Sequence, residues 1–191
     1  MFYSAQMLKT QWWVQDNSFK KRLQYALKHK KLIKIRKWLY ADARQILDVT
    51  EEDWKSAGGL VYTPSYLSYE TVLLGAGIVF QRTSVLTYAG PYSKEITIDA
   101  YAQSFQRKRL PAPLLTNVTW LIQTKTYTRA SPERAICDCL YNNLLYPFDS
   151  LAIIDRDLLI AIASIYAHYK PQLLDRVLSL QSLHGNTTRY A

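Results

Sequence analysis

The feature that most constrains this chain is a cationic stretch that contains no acidic residue. Between residues 18 and 37 the sequence carries nine Lys and Arg and neither Asp nor Glu. Residues 1–44 hold eleven Lys and Arg against two Asp, a net charge of +9, whereas the rest of the chain holds thirteen charges of each sign. The excess positive charge is therefore confined to the first quarter of the chain, as expected for a module that binds a polyanion.

Two helices are predicted in the first 30 residues. Ser4 is a suitable N-cap for a helix over residues 4–13. A second helix begins where three consecutive residues favour the N-cap position, namely Asp16, Asn17 and Ser18. Its apolar stripe, at spacings of four, three and one residues, consists of Phe19, Leu23, Ala26 and Leu27. The cations of this helix fall off the stripe and are expected to face water or a partner.

A basic β-hairpin is predicted after the second helix, because apolar and charged residues alternate from Lys31 onward. Helix, turn, basic helix and basic hairpin is the order of a winged helix-turn-helix, whose second helix enters the DNA major groove. The expected base contacts are Asn17, Ser18, Lys21 and Gln24. The expected phosphate contacts are Lys20, Arg22, Lys28, Lys34, Arg36 and Lys37.

The remainder of the chain predicts a second unit of the α+β class. The predicted organisation is a minimal winged helix-turn-helix at 1–44, a linker with a short helix at 45–60, and an α+β unit at 61–191. Gly58 and Gly59 are interpreted as a helix breaker within the linker. The second unit is expected to combine a small, mainly antiparallel sheet with C-terminal helices.

Helix signals are clear at several points of this second unit. Ser68 is a suitable cap for a helix that Gly77 ends, and Ser131 followed by Pro132 forms a strong helix start. Two further helices are predicted over 155–168 and 171–183. Partial alternation predicts strands over 84–90, 95–101, 103–109 and 119–130.

The sequence gives no positive reason to assign an enzyme, a metal or a cofactor. Cys137 and Cys139 form one C-x-C pair without companions, and we interpret them as semi-buried thiols in a reducing cytoplasm rather than as a redox pair. The run 51–53, Glu-Glu-Asp, could bind a metal but is interpreted as the acidic first turn of a helix. No apolar run approaches the roughly 20 residues of a membrane span and no signal peptide is apparent, which predicts a cytoplasmic protein.

Three segments carry a resemblance to a known family. They are LKHKKLIKIRKWLYA at 27–41, PSYLSYETVLLGAGIV at 64–79 and YTRASPERAICDCLY at 127–141. In this order they resemble the end of the winged helix and two later segments of the AbiE-type antitoxins, which regulate type IV toxin–antitoxin and abortive-infection systems. The helical ending fits as well, so the resemblance spans roughly residues 15–183.

The resemblance implies a two-part antitoxin without enzymatic activity or cofactor. The winged helix would repress its own operon at inverted repeats in the promoter, with self-association on double-stranded DNA. The second unit would neutralise a nucleotidyltransferase-like toxin encoded next door. The positions that match the family pattern, with roles in capping and packing, are Ser68, Glu70, Ser131, Pro132, Glu133, Arg134, Ala135, Asp138 and Tyr141.

Two features depart from the family pattern. The family usually has a helix before the one predicted at 4–13, so completing the core of the first unit would call for residues 42–56 or a second subunit. The turn of the wing often contains Gly but here reads Arg36-Lys37-Trp38. The residues leave open three other functions: a stand-alone winged-helix regulator, a partner-binding protein with nonspecific affinity for nucleic acid, and a nuclease or nucleotidyltransferase guided by the N-terminal module. For the basic stretch itself they leave open binding of RNA or another polyanion, and a merely solvated face.

Overall fold

The structure is a computed structural model that describes residues 1–62, 64–81, 83–144 and 146–185. Within these ranges the protein is of the predicted α+β class, with eight α-helices and two sheets. The helices are α1 (Ala5–Trp12), α2 (Asp16–Lys28), α3 (Glu51–Val61), α4 (Tyr69–Gly75), α5 (Ala112–Thr116), α6 (Pro132–Tyr141), α7 (Arg156–Ala167) and α8 (Gln172–Gly185). The strands are β1 (Phe2–Ser4), β2 (Leu32–Arg36), β3 (Leu39–Asp42), β4 (Tyr66–Leu67), β5 (Val85–Gly90), β6 (Lys94–Ile98), β7 (Gln103–Arg109), β8 (Leu121–Gln123) and β9 (Thr128–Ala130).

The first sheet is antiparallel, has the strand order β1-β3-β2, and is covered on both faces. Helices α1 and α2 cover one face and form a small core, whose buried members are Ala5, Leu8, Phe19, Ala26, Leu32 and Tyr40. On the other face Phe2, Leu39 and Ala41 belong to the main core of the protein. The ring of Phe2 lies 4.7 Å from that of Trp54 in α3. Because successive side chains of a strand point to opposite faces, one short sheet contributes to two cores.

The sequence predicted α1 and the hairpin correctly, but it missed β1 and misplaced one cap. Ser4 caps α1, since its hydroxyl accepts a hydrogen bond from the Met7 amide at 3.1 Å. Helix α2, in contrast, begins at Asp16 itself, and its N-cap position is occupied by Gln15 without a side-chain bond. Asp16 instead forms an ion pair with Lys9 of α1. The predicted capping by Asp16, Asn17 and Ser18 is therefore wrong, because these residues already lie inside the helix.

Helix α3 shows why the predicted Gly-Gly breaker is wrong. The helix runs through both glycines, and Thr50 and Asp53 close a capping box at its start. At Gly58 a side chain would overlap the ring and hydroxyl of Tyr88 on the neighbouring sheet. The Tyr88 hydroxyl donates to the Lys55 carbonyl at 2.7 Å. Gly58 is thus required by close packing between helix and sheet, not by a chain break.

The second sheet has the order β6-β7-β5-β4-β9-β8. Three of its five strand pairs are antiparallel and two, β5 with β7 and β4 with β9, are parallel, so it is more mixed than predicted. Helix α3 packs on one face and α4 on the other. Tyr88 of β5 bonds α3, while the preceding residue, Thr87, points to the opposite face and bonds Glu70 of α4. Helices α6, α7 and α8 pack in sequence behind α4.

Candidate nucleic-acid interface

One face of α2 consists of polar and basic side chains that point away from the protein. Phe19 and Ala26 are buried against the first sheet, and Leu23 is half-buried beside them. The opposite face, at spacings of four, three and four residues, carries the exposed side chains of Asn17, Lys21, Gln24 and Lys28. Residues at this spacing share one side of a helix. Three of the four predicted base contacts therefore lie in one row, while Ser18 lies to the side of it.

The cations that flank this row have different surroundings. Lys20 is exposed on the edge of the helix. Arg22 folds back toward α1, where its guanidinium lies 5.1 Å from the ring centroid of Trp12 and donates to the Trp12 carbonyl at 3.4 Å. The Trp12 contact positions Arg22 at the junction of the two helices. Its guanidinium remains exposed, so it can still reach an anion from there.

The hairpin places the remaining predicted contacts along β2 and its turn. Lys34, Arg36 and Lys37 are all exposed. A register shift between Lys34 and Arg36 bends the strand before the two-residue turn. The Arg36 guanidinium donates to the Thr97 carbonyl on the outer edge of β6 at 3.1 Å. The tip of the hairpin is thus attached to the second sheet, a contact that the sequence did not predict.

The turn itself is held in an unusual conformation. Trp38 has a φ of 72°, a left-handed value that bulky residues rarely adopt. Its carbonyl accepts a hydrogen bond from the Ala5 amide at 3.2 Å, which satisfies a free N–H in the first turn of α1. The Lys37 ammonium lies 5.5 Å from the Trp38 ring. The backbone at the tip is therefore fixed by α1 even without the glycine that this turn would favour.

Negative charge does not neutralise this surface. Among the described residues the ion pairs join Lys9 to Asp16 and Lys55 to Glu51 and Glu52, and none includes a predicted DNA contact. A hydrogen bond from Lys9, then its charge, lowers the pKa of Asp16, so this carboxylate stays ionised and is already paired. Like charges at the surface repel one another, and a bound polyanion would relieve that repulsion.

Aromatic side chains near the basic surface were not singled out from the sequence. Tyr25 of α2 is 54% exposed, its ring lies 4.1 Å from that of His29, and the Lys31 ammonium lies 5.5 Å from it. Trp13, at the turn between α1 and α2, is 92% exposed with a φ of 52°. The available signal was aromatic residues interleaved with cations, a composition typical of nucleic-acid surfaces.

Two of the segments that carry the family resemblance, 64–79 and 127–141, contribute to a buried polar network in the second unit. Asp138 of α6 is fully buried and accepts hydrogen bonds from Ser68 at 2.5 Å, Tyr166 at 2.5 Å and Tyr66 at 3.1 Å. Burial raises the pKa of Asp138, and the charge of Arg134 opposes this shift. Ser68 stands at the N-cap of α4 as predicted, but its hydroxyl bonds Asp138 rather than the helix.

Arg134 connects this network to the loop after α5. It is 1% exposed, and its guanidinium donates to the carbonyls of Leu114 at 2.7 Å, Asn117 at 2.5 Å and Thr119 at 2.6 Å. It also donates to the Tyr66 hydroxyl, at 3.1 Å from Nη2. Ser131 caps α6 by accepting from the Arg134 amide at 3.3 Å, as the sequence predicted. The bonds of Ser131 and Arg134 thus cap one helix and join it to the loop after α5.

The part of the chain that the structure describes shows no arrangement of a metal or thiol centre. Among the described residues, no group of three or more His, Cys, Asp or Glu lies close enough to hold a metal. Glu51 and Glu52 lie in the first turn of α3, where Lys55 pairs with both. Burial raises the pKa of Cys137 and of Cys139 well above the usual value, so both remain protonated thiols at neutral pH.

Comparison with known proteins adds no family to these observations. The chain matches no protein-family model and no curated protein sequence. In the described residues, no helix combines the length and the apolarity that crossing a membrane requires. The outward face of α2 and the adjacent hairpin are therefore the strongest basis for a functional proposal.

Proposed function

We propose that residues 1–44 form a minimal winged helix-turn-helix that binds double-stranded DNA, and that the protein is a cytoplasmic autorepressor and antitoxin. The observation that carries the DNA-binding proposal is the exposed row Asn17, Lys21, Gln24 and Lys28, directly opposite the packed face of α2. The element order also supports it: β1, α1, α2, β2, β3. Helix α2 packs on the sheet that contains the β2–β3 hairpin, so the helix and the hairpin lie beside each other.

In the proposed complex α2 lies in the major groove. Its 13 residues extend about 20 Å, and the groove of B-DNA is about 12 Å wide. Asn17 and Gln24 each present an amide that can pair with adenine, and Lys21 can donate to guanine. Lys20, Arg22, Lys28, Lys34, Arg36 and Lys37 would contact phosphates and set the register. Occupation of the gene's own promoter by this helix would exclude RNA polymerase.

The antitoxin part of the proposal depends on the family resemblance. The matching segments 64–79 and 127–141 contain α4 and α6, and these two helices pack against each other. The two segments therefore belong to one common core. The surface of this second unit would bind a nucleotidyltransferase-like toxin, and the protein itself would need no cofactor. Expression of each neighbouring reading frame, alone and with this gene, tests it. Growth arrest by one frame that this protein relieves is the expected result, and no toxic neighbour would contradict the antitoxin role.

A second candidate is nonspecific binding of nucleic acid by a partner protein without a toxin. It is favoured by the exposed cations outside the outward row, because contacts to phosphates alone would use them without reading sequence: Lys30, Lys31, Lys34 and Lys37. Under this alternative the row on α2 would orient the helix without reading sequence.

Fluorescence anisotropy with the full chain separates the two candidates. DNA from immediately upstream of the gene is compared with scrambled DNA of the same composition at several salt concentrations. We expect affinity for the upstream DNA to exceed that for the scrambled DNA by about 10³ or more. The logarithm of the affinity should fall with the logarithm of salt by about 0.9 per phosphate contacted. Equal affinity for both DNAs would support the nonspecific candidate, and no affinity for either would contradict both.

A further inference from the structure

An unusual crossing in the second sheet covers one of its strands. Strands β5 and β6 are separated by only residues 91–93, yet they are not neighbours, because β7 lies between them. The connection must therefore pass over β7. It is held there by hydrogen bonds from the Leu110 amide to the Gly90 carbonyl at 2.8 Å and from the Arg109 amide to the Ser93 hydroxyl at 3.2 Å. We call residues 90–93 the arch.

Arg107 of β7 lies beneath the arch. It is 1% exposed, and its guanidinium carbon lies 3.5 Å from the ring centroid of Tyr92 and 4.6 Å from that of Tyr62. A side chain at residue 90 would overlap the Arg107 methylenes, so Gly90 is what lets the long side chain pass under the arch. A positive charge has thus been placed between two aromatic rings in the interior, where charge is normally paired.

A hydrogen bond from Arg107, and then its charge, lowers the pKa of Tyr92, yet two of the guanidinium nitrogens have no hydrogen-bond partner among the described residues. Nε and Nη2 are buried and have no hydrogen-bond acceptor among the described residues. None of the ion pairs in the described ranges includes Arg107. These two nitrogens carry the parallel N–H groups of the guanidinium fork, the pair that binds both oxygens of one carboxylate. Buried donors without acceptors are rare and costly, so this pair calls for an explanation.

We propose that Arg107 is an anchor for one side-chain carboxylate, of Asp or Glu, from a protein partner, and that Tyr92 covers it in the free protein. Once the Tyr92 ring has turned outward, a flat carboxylate can accept both N–H groups in the plane of the guanidinium, while Tyr62 remains against the other face. A tetrahedral phosphate would direct its out-of-plane oxygens toward the Tyr62 ring, and we therefore expect it to bind less well. Tyr92 is 54% exposed on the arch, so its ring can turn outward without disturbing the core. Lys94, directly opposite Arg107 in the β6–β7 pairing and exposed, adds a second cation at the rim.

The anchor goes beyond the proposed function and is independent of DNA binding, since it lies on the second sheet. The partner would have a protruding Asp or Glu, whose carboxylate would enter under the arch and lie beside Tyr62. An acid that enters this site exchanges water for two parallel hydrogen bonds, and the displaced Tyr92 ring is free to pack on the partner.

The test is an NMR titration of the full chain that follows the Nε–Hε resonance of Arg107. The probes are the blocked tripeptide acetyl-Gly-Glu-Gly-amide, its Gln counterpart and inorganic phosphate, all at constant ionic strength. We expect the Glu peptide to shift this resonance while the Gln peptide and phosphate leave it in place. In Tyr92→Ala the ring no longer has to be displaced, so the same peptide should bind about tenfold more tightly.

Two variants complete the design. Arg107→Lys keeps the charge but removes the fork. Followed through the backbone amide of Lys94, which lies opposite residue 107 in the strand pairing, this variant should lose the response to the Glu peptide that the original chain shows at the same amide. Arg109→Lys is the matched control, an exposed arginine on the same strand, and should respond like the original chain. The proposal is overturned if phosphate or the Gln peptide shifts Arg107 as strongly as the Glu peptide, or if Tyr92→Ala leaves the affinity unchanged. If Arg107→Lys fails to fold, the titrations of the original chain and of Tyr92→Ala decide the question without it.

Discussion

Lys21 in the first unit and Arg134 in the second are both cations on α-helices, yet their surroundings are opposite. Lys21 projects into water from the outward face of α2, in a unit where two Asp accompany eleven cations. Arg134 is enclosed by three backbone carbonyls and the Tyr66 hydroxyl. The donors of Arg134 are fully used by the fold, whereas those of Lys21 remain available to a partner. A cation whose donors are free can belong to a binding surface, whereas one whose donors are all bonded within the protein belongs to a structural network.

The two regions also differ in the size of their hydrophobic cores. The core between α1, α2 and the first sheet has six buried residues, and the main core is several times larger. We expect the first unit to be only marginally stable by itself, because its core is small and the like charges on its surface repel one another. The first unit gains support from its second face, where Phe2 packs on Trp54 of α3. On this face the covering element is α3, which begins at Glu51.

The largest effect is expected from breaking the Arg134 network. Arg134→Met should lower the free energy of unfolding by about 4 kcal/mol, because one buried and two partly buried carbonyls and the Asp138 region lose a charged donor. Chemical denaturation measures this change, with the exposed Arg109→Met as the control. A loss below about 1 kcal/mol, within the usual range of a surface substitution, would show that the network contributes little.

The next effect is on DNA affinity rather than on stability. Lys20→Glu combined with Lys21→Glu should weaken binding to the upstream DNA by about 100-fold or more, because two phosphate or base contacts become repulsive. The free energy of unfolding should stay within about 0.5 kcal/mol, as for other exposed sites. Binding of a protein partner by the second unit should persist. The control, Arg109→Glu with Lys125→Glu, makes the same change of net charge at exposed sites of the second unit. Equal weakening by both pairs would mean that net charge, and not the α2 face, governs binding.

The smallest effect is expected at the hairpin turn. Trp38→Gly removes the left-handed strain of a bulky residue, about 1–2 kcal/mol, and adds the entropy cost of glycine, about 0.5–1 kcal/mol. The net result should be a gain of about 0.5 kcal/mol in unfolding free energy, with DNA affinity unchanged. Thermal unfolding and anisotropy measure the two quantities. A drop in DNA affinity at constant stability would instead identify the exposed indole as a DNA contact.

Local patterns predicted much of this molecule. The spacing of Phe19, Leu23 and Ala26 correctly predicted which side of α2 is exposed, because helix periodicity is a property of a few adjacent residues. Ser131 and Pro132 predicted the start of α6 for the same reason. The α+β class followed from the order of such segments.

What the sequence could not show depends on distant contacts. Strand β1 has three residues, too few for a period, and exists because it pairs with β3. The parallel pairing of β5 with β7 has no local signature either. The surroundings of Asp138 and Arg107 are built from several elements, so neither a buried carboxylate nor a covered guanidinium can be recognised from its neighbours in the chain.

The two covered faces of the first sheet limit how the chain can be divided. A fragment ending at residue 44 would keep α1, α2 and the hairpin but would leave Phe2, Leu39 and Ala41 without α3. Such an apolar face, exposed on a short sheet, favours aggregation and proteolysis. The shortest fragment that keeps both faces covered extends through Val61. A cut at the charge boundary therefore uncovers an apolar face of the first sheet that a fragment reaching Val61 keeps covered.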